Sequence, residues 1–362
     1  MRSSLSALLA LAPLAALAAS PHSSSRGAHK KRAGSYSLTS DFSGDNFFNA
    51  FSFVRLLFLL APSPDRLLLP PPAHSLDTTN SNGGIANYVD EATAWAEDLV
   101  AIKNGKAHIR VHPKSNGDSL DAVKLTTKEQ YSEGLYIWDI ERMPQVCGAW
   151  PAIWSSGDNW PANGELDLVE YVSHQSMDSM SVHTATGCWA GSTGYTGTQM
   201  LEGTDGLNCD ADATSSQGCG FRTASNNTAG IGSNFDKAGV YALEWASSGI
   251  KAWFFPRDSI PSDIESKNPD PSSWDTPTMY ISADACAPLS NYFGPQTWVI
   301  NTQLCGTWPS GTVWSSDNSY AGQEGSCQED TGYATCEEYV LNEAQDFKHA
   351  YWRIGYFRVF NK

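Results

Sequence analysis

Basic residues are scarce in this sequence. The 362 residues include 23 Lys and Arg against 39 Asp and Glu, a formal net charge of −16 at pH 7. A protein with this surplus of negative charge is repelled by nucleic-acid phosphates and by anionic membrane surfaces. We therefore expect no nucleic acid and no membrane among its partners, whereas a neutral polymer stays compatible with the charge. A monomer is the expected oligomeric state.

The sequence also lacks any C-x-x-C pair, which argues against a zinc site. It has an even number of cysteines, eight in all, at positions Cys147, Cys188, Cys209, Cys219, Cys286, Cys305, Cys327 and Cys336. In a secreted protein such a set indicates disulfides, but eight cysteines allow 105 pairings and spacing leaves the connectivity open. Short-range bridges would be most useful in the Gly/Ser/Thr/Asn-rich loops at 188–219 and 327–336.

No apolar run is long enough to cross a membrane. The first 20 residues, MRSSLSALLALAPLAALAAS, combine one Arg, a short apolar stretch and small residues, which predicts a signal peptide over 1–19. Residues 20–32 end in Lys30-Lys31-Arg32, a basic processing site, and are interpreted as a pro-segment. Removing residues 1–32 removes five basic residues and no acidic one, so the mature protein has a net charge of −21. The protein is expected to be secreted and extracellular.

One segment differs in composition from the rest. Residues 54–76, VRLLFLLAPSPDRLLLPPPAHSL, contain eight Leu and five Pro. The segment is too short and too interrupted by proline to span a membrane. It is interpreted either as an exposed Pro-rich loop or, preferably, as a short intron read through in the gene model. Peptides of the secreted protein that map inside 56–70 would contradict the second interpretation.

From about residue 83 onward, short alternating runs separated by Gly, Pro, Asn, Asp and Ser clusters predict an all-β sandwich or barrel. The runs cover 107–112, 134–144, 179–185, 239–245, 250–257, 297–304 and 351–360. Helical patterns are limited to 90–98 and 342–350. No internal repeat is evident, so one domain over 33–362 is predicted.

Three carboxylates lie in one short apolar run, NGELDLVEYV (163–172). Because strand side chains alternate with period two, Glu165 and Asp167 share a face, whereas Glu170 would point with the leucines into the core. A bare carboxylate on a core face is costly to bury. A β-bulge at 168–169 would return Glu170 to the face of the other two acids, and bulges are frequent beside active sites.

Carboxylates grouped in this way repel one another, so at least one should hold a proton. Asp167, between the two glutamates, is the natural proton-sharing partner. Paired carboxylates with separated pKa values are the groups that glycoside hydrolysis requires, one as nucleophile and one as proton donor.

Aromatic residues surround the acids in the sequence. Trp150, Trp154 and Trp160 precede them, and the chain has 13 Trp in total. Trp150 and Trp154 could lie either in the sandwich core or in a substrate groove. Trp160, in a Gly/Asn/Pro loop just before the acids, is predicted to lie in the groove. Asn226 begins an N-x-T sequon in a loop and is an expected glycosylation site.

The motif GELDLVEY, together with WPAIW, WPANG, RMPQVCGAWPA, VHT, WFFPR and CGTWPSG, resembles glycoside hydrolase family 16. The similarity is to the fungal laminarinase-like endo-1,3(4)-β-glucanases and extends over roughly 83–360. The resemblance implies a concanavalin-like β-jelly-roll sandwich of two antiparallel sheets with a concave substrate cleft. It also implies a β-glucan substrate and no required cofactor. Some relatives bind a structural calcium, for which this sequence has no loop signature.

The resemblance further implies roles for individual residues. Glu165 would be the nucleophile, Glu170 the general acid/base and Asp167 their modulator. His183 would lie near the acid/base, with a purely structural strand histidine as the alternative. Trp160 and Trp308 would contact glucose rings, and Trp150 and Trp154 are further substrate-binding candidates.

Several alternatives to an endo-β-glucanase stay open on the sequence. With the same nucleophile, a sugar in place of water would make the protein a cell-wall glucan transglycosylase. A non-catalytic, lectin-like glucan-binding module would not need three grouped acids. A cation site is disfavoured because hard-cation ligands usually come from irregular loops rather than from an apolar strand.

Overall fold

The seven alternating runs all form β-strands. A computed structural model describes residues 36–55, 82–201, 203, 205–226, 228–229 and 239–362, which lie within one compact unit, Gly34–Lys362. The strands are β1 (Ser37–Ser43), β2 (Phe51–Phe53), β3 (Ala86–Tyr88), β4 (Val100–Lys103), β5 (Lys106–Arg110), β6 (Leu120–Ala122), β7 (Lys124–Thr127), β8 (Gly134–Arg142), β9 (Ala149–Gly157), β10 (Glu165–Glu170), β11 (Ser179–His183), β12 (Thr198–Gln199), β13 (Cys219–Arg222), β14 (Gly239–Ala246), β15 (Gly249–Pro256), β16 (Met279–Ser282), β17 (Gln296–Leu304) and β18 (Tyr351–Asn361).

Helices are short and connect the strands. They are α1 (Glu91–Ala96), α2 (Ser262–Glu265), α3 (Thr312–Ser315), α4 (Cys327–Thr331) and α5 (Cys336–Asn342), with 3₁₀ turns at Gly44–Ala50, Asp205–Leu207, Pro271–Ser273, Leu289–Asn291, Ser319–Ala321 and Ala344–His349. The helix predicted within 90–98 is α1, whose first turn is capped by the Asp90 carboxylate accepting the Thr93 N–H at 2.9 Å. The prediction over 342–350 is only partly right, because α5 ends at Asn342 and a 3₁₀ turn follows.

Two large antiparallel sheets make up the fold. One has the strand order β16-β15-β14-β8-β18-β5-β4, and the other has the order β12-β13-β11-β10-β9-β17-β7-β2. Strand β18 pairs along one edge with β8 and along the other edge first with β5 and then with β1. A small parallel pair, β3–β6, completes the set. The predicted all-β sandwich is confirmed.

The main core lies between the two sheets. Trp138 of β8 stacks on Phe357 of β18, with ring centroids 3.9 Å apart, and meets Trp298 of the facing sheet at 5.7 Å. These three rings are almost fully buried. Each buried aromatic side chain stabilises the fold by about 1.5–3 kcal/mol relative to an exposed one, so this cluster holds the two sheets face to face.

All eight cysteines are paired. The bridges join Cys147 to Cys327, Cys188 to Cys286, Cys209 to Cys219 and Cys305 to Cys336. Only one of them is the short loop staple expected from composition, with a sequence separation of 10. The other bridges connect segments that are distant in the sequence, which spacing alone could not reveal.

The predicted signal peptide (1–19), the pro-segment (20–32) and residues 56–76 of the Leu/Pro-rich segment lie outside the described residues. Within the described part of the chain, no helix is both long enough and apolar enough to cross a membrane.

Candidate active site

The strand register places the three acids of β10 on one face of the sheet. Paired residues on antiparallel strands point to the same side, and residues two apart on one strand share a face. In chain order, Glu165, Asp167 and Glu170 pair with Ser156, Trp154 and Ala152 of β9 and with His183, Ser181 and Ser179 of β11. On each neighbouring strand the three partners are two residues apart, so they share one face. The three carboxylates therefore point to the same side.

The predicted bulge produces this alignment. The register of β10 against β9 shifts between Asp167 and Val169, leaving Leu168 as the extra residue. Leu168 and Val169 are fully buried in the core between the sheets. The bulge therefore keeps the apolar residues inside and returns Glu170 to the outer face, as predicted.

Asp178, just before β11, accepts the backbone N–H of Glu170. Its Oδ1 lies 2.9 Å from that nitrogen. Asp178 is fully buried, and its other carboxyl oxygen has no hydrogen-bond partner among the described residues. Burial, together with the carboxylates of Glu170 and Asp167, raises the pKa of Asp178 well above its usual range. Burial therefore favours the neutral form of Asp178, and its carboxyl satisfies a backbone donor at the bulge.

Asp167 is the centre of a hydrogen-bond network. Its Oδ2 accepts the Ser181 hydroxyl at 3.0 Å and lies 2.9 Å from Nε2 of His183. It also shares a hydrogen bond with Glu165. Both Asp167 and His183 are buried, so the network fixes the position of the middle carboxyl.

The two glutamates each receive an indole N–H. Trp150 donates to Oε1 of Glu170 at 2.8 Å, and Trp160 donates to Glu165. Both glutamate side chains keep partial exposure, as access to a substrate requires.

Burial and like charge raise the pKa values of the acids. Burial first, and the neighbouring Asp167 carboxylate second, raise the pKa of Glu165 to about 8. The same two causes raise the pKa of Glu170, and burial raises that of Asp167. Because three enclosed carboxyls cannot all ionise at neutral pH, the cluster holds protons there.

The predicted tryptophans flank the acids on the β9 side. Trp150 and Trp154 are half-buried on the same face as Asp167, and Trp150 meets Trp308 edge-on at 5.8 Å between ring centroids. The core position that the sequence left open for Trp150 and Trp154 is thus not the observed one. Trp160, in the loop before β10, is 44% exposed. The structure brings every predicted site residue to this face or its edge.

Sequence reasoning missed several neighbours of Trp154. Its indole N–H donates to Asn301 of β17 at 2.8 Å, and Asn301 donates to the Tyr88 hydroxyl at 3.0 Å. The Lys124 ammonium lies 5.5 Å from the Trp154 ring centroid. These residues come from distant strands, and no local pattern marked them. Ser181, two residues before His183 on the same strand face, could have been found from strand periodicity.

A metal is not the best occupant of this cluster. Glu165, Asp167 and His183 each offer a ligand atom within 4.8 Å of the others. The Asp167 oxygen, however, is already engaged by His183 and Ser181. Two further groups of candidate ligands in the described part of the chain depend on cysteines that form disulfides. The arrangement is better suited to proton transfer and nucleophilic attack by carboxylates.

Comparison with known proteins agrees with this geometry. The model of the XgeA-like catalytic GH16 domain matches residues 74–360. An endo-1,3(4)-β-glucanase of Arthroderma benhamiae is 35% identical over 285 residues, which cover 76% of this chain and 59% of that protein. A relative from Neosartorya fischeri is 31% identical over 331 residues, 90% of this chain and 45% of its own length. The chain thus spans about half the length of these curated relatives.

Solved structures share the fold. Laminarinase 16A from Phanerochaete chrysosporium, with 6-O-glucosyl-laminaritriose in both its donor and acceptor sites, is 28% identical with a TM-score of 0.74. An elongating family 16 β-1,3-glucosyltransferase is 30% identical with a TM-score of 0.71. Each comparison covers 90% of this chain and 100% of the other. The predicted jelly-roll sandwich is confirmed, and the chain belongs to glycoside hydrolase family 16.

Proposed function

We propose that this protein is a secreted endo-β-glucanase that hydrolyses internal β-1,3 and mixed β-1,3/1,4 glucosidic bonds with retention of configuration. The observation that carries the proposal is the alignment of Glu165, Asp167 and Glu170 on one sheet face beside indole rings. The named activities of the Arthroderma relative and of the Phanerochaete laminarinase support the substrate class.

In the first step, a Glu165 carboxylate oxygen bonds to the anomeric carbon while the bond from that carbon to the glycosidic oxygen breaks. Glu170 gives its proton to the leaving oxygen. The raised pKa of Glu170 supports this role, because a proton donor must still be protonated at the working pH.

In the second step, the Glu170 carboxylate takes a proton from water, and the water oxygen bonds to the anomeric carbon as its bond to Glu165 breaks. Both glutamates return to their starting states. Two inversions at one carbon give net retention.

Asp167 modulates the charges of the two glutamates. In the reactive form of the cluster the negative charge is on Glu165, which accepts the Trp160 N–H and shares a hydrogen bond with Asp167. His183 and Ser181 hold Asp167 in place for this purpose.

The substrate would cross the sheet face over the aromatic residues. Trp150, Trp154, Trp160 and Trp308 present partly exposed rings that can stack on glucose, and His183 lies beside the acids. No cofactor enters either step. The bridging of all eight cysteines supports an oxidising, extracellular location.

Transglycosylation is the second candidate, supported by the likeness to a β-1,3-glucosyltransferase. A sugar hydroxyl would then replace water in the second step. A purely glucan-binding module is disfavoured, because burying three mutually repelling carboxyls destabilises a fold and binding alone does not require them.

The test is Glu165→Gln, assayed for reducing sugar released from laminarin, lichenan and xyloglucan, with binding of laminari-oligosaccharides measured in parallel. We expect release to fall by at least about a thousandfold while binding persists. Normal hydrolysis by the variant would overturn the role of Glu165. A labelled oligosaccharide acceptor distinguishes transfer from hydrolysis, and a wild type inactive on all three glucans would overturn the proposed function.

A further inference from the structure

Arg222 of β13 lies on the same face as the acids but on the other side of them from the tryptophans. Ser179 of β11 pairs with Glu170 on one edge and with Arg222 on the other. Arg222 therefore lies two strand spacings from Glu170, roughly 10 Å. Trp150 and Trp154 are on β9, the opposite neighbour of β10.

Among the described residues, the buried Arg222 guanidinium has no hydrogen-bonding or ionic partner. The residue is 8% exposed, and its Nε is buried with no hydrogen-bond partner in that part of the chain. None of its nitrogens forms a hydrogen bond or an ion pair with any described residue. The guanidinium lies over the Tyr320 ring, whose centroid is 4.8 Å from the guanidinium carbon. A guanidinium has five N–H donors and is always charged, so burial without an acceptor is costly.

Tyr320 is held in place as an exposed ring. It is 55% exposed, and its hydroxyl donates to Oδ1 of the buried Asn318 at 3.0 Å. The next residue, Ala321, accepts the backbone N–H groups of Ser176 and Met177 at 3.0 and 3.2 Å. These two residues belong to the connection between β10 and β11. The ring is thus fixed relative to the strand that carries Glu170.

We propose that Arg222 and Tyr320 form a further sugar-binding subsite, on the Glu170 side of the cleft. It binds a hexose of the glucan chain, with the sugar ring against the exposed part of Tyr320 and its hydroxyls accepting N–H donors of Arg222. The subsite lies across the acids from the tryptophans, so a bound chain is held on both sides of the bond that is cut. This inference rests on the proposed glucanase function.

The test uses binding and turnover together. Glu165→Gln serves as the non-hydrolysing background, in which Arg222→Met and Tyr320→Ala are compared by calorimetric titration with laminari-oligosaccharides of increasing length. Loss of a charge-assisted hydrogen bond should weaken binding by about tenfold or more. This loss is expected only for oligosaccharides long enough to reach from the acids to Tyr320, and short ones should bind unchanged.

In the otherwise wild-type protein, the same two substitutions should raise KM for long laminari-oligosaccharides and leave kcat unchanged. The matched control is Lys251→Met, which removes a cation 5.4 Å from the Tyr280 ring on the other sheet and should change neither quantity. Unchanged affinity for the longest oligosaccharide, or an equal loss at every length, would overturn the subsite. Absence of hydrolysis by the wild type would overturn the proposed function instead, since the titrations do not depend on turnover.

Discussion

The Asp178 carboxyl accepts the backbone N–H of Glu170, the residue that the bulge returns to the outer face of the sheet. A bulge disrupts the hydrogen-bond ladder locally, and here a side chain supplies the acceptor. The position of Glu170 therefore depends on Asp178 as well as on the strands.

Replacing Asp178 tests this dependence. Asp178→Asn keeps the acceptor oxygen and resembles the neutral acid, so kcat should stay within about threefold of wild type. Asp178→Leu removes the acceptor and leaves a buried N–H unsatisfied, which costs about 1–3 kcal/mol of unfolding free energy. Since small displacements of catalytic groups reduce rates strongly, kcat should fall by about a hundredfold.

Urea unfolding and steady-state kinetics measure both effects. Val240→Ala, in the core of the other sheet, is the control: it should lower stability without lowering kcat. Equal activity of the Asn and Leu variants would show that Asp178 does not position Glu170.

The acid cluster should make the fold less stable at alkaline pH. The pKa of Glu165 is raised to about 8 in the fold, whereas the pKa of an unfolded Glu is about 4.3. The folded protein thus binds more protons than the unfolded chain between these values, and the free energy of unfolding falls as pH rises through the window. Glu165→Gln should be as stable as wild type near pH 4 and more stable at pH 8, by at least about 1 kcal/mol.

Urea unfolding at pH 4 and pH 8 provides the measurement, with the exposed Glu265→Gln as control. A pH-independent difference between Glu165→Gln and wild type would contradict the prediction.

The indole of Trp150 should tune the proton donor. Its N–H donates to Glu170 at 2.8 Å and favours the ionised carboxylate, so Trp150→Phe should raise the pKa of Glu170. The alkaline limb of the kcat–pH profile should then move up by about one unit. Trp154→Phe is the matched control, because the indole N–H that it removes donates to Asn301 and not to a carboxyl. An alkaline limb that stays in place, or moves to lower pH, argues against this role of Trp150.

The bulge was predictable because its signal is local. Glu170 is out of step with Glu165 and Asp167 by one residue, and the cost of burying a charge leaves few ways to accommodate that offset. For Trp150 and Trp154, strand periodicity could not choose between the two faces of β9. In the structure, Trp154 pairs with Asp167, and this pairing places both tryptophans on the face that carries the acids.

The residues that were not predicted make contacts with partners that are distant in the sequence. Asp178 is eight residues from Glu170, and its role depends on how the connection between β10 and β11 folds back. Arg222 and Tyr320 meet through strands and loops about 100 residues apart in sequence. Cys147 and Cys327 are separated by 180 residues. Sequence patterns describe single strands well, but they do not specify which distant strands and loops become neighbours.

The position of β18 has a consequence for biosynthesis. This strand bridges β8 on one edge and both β5 and β1 on the other, so its sheet cannot be completed until residues 351–361 have left the ribosome. A nascent chain that stops before Tyr351 would expose unpaired edges of β8 and β5, which are templates for aggregation. Late translation errors should therefore be as damaging to this fold as early ones, although the proposed catalytic acids are made long before.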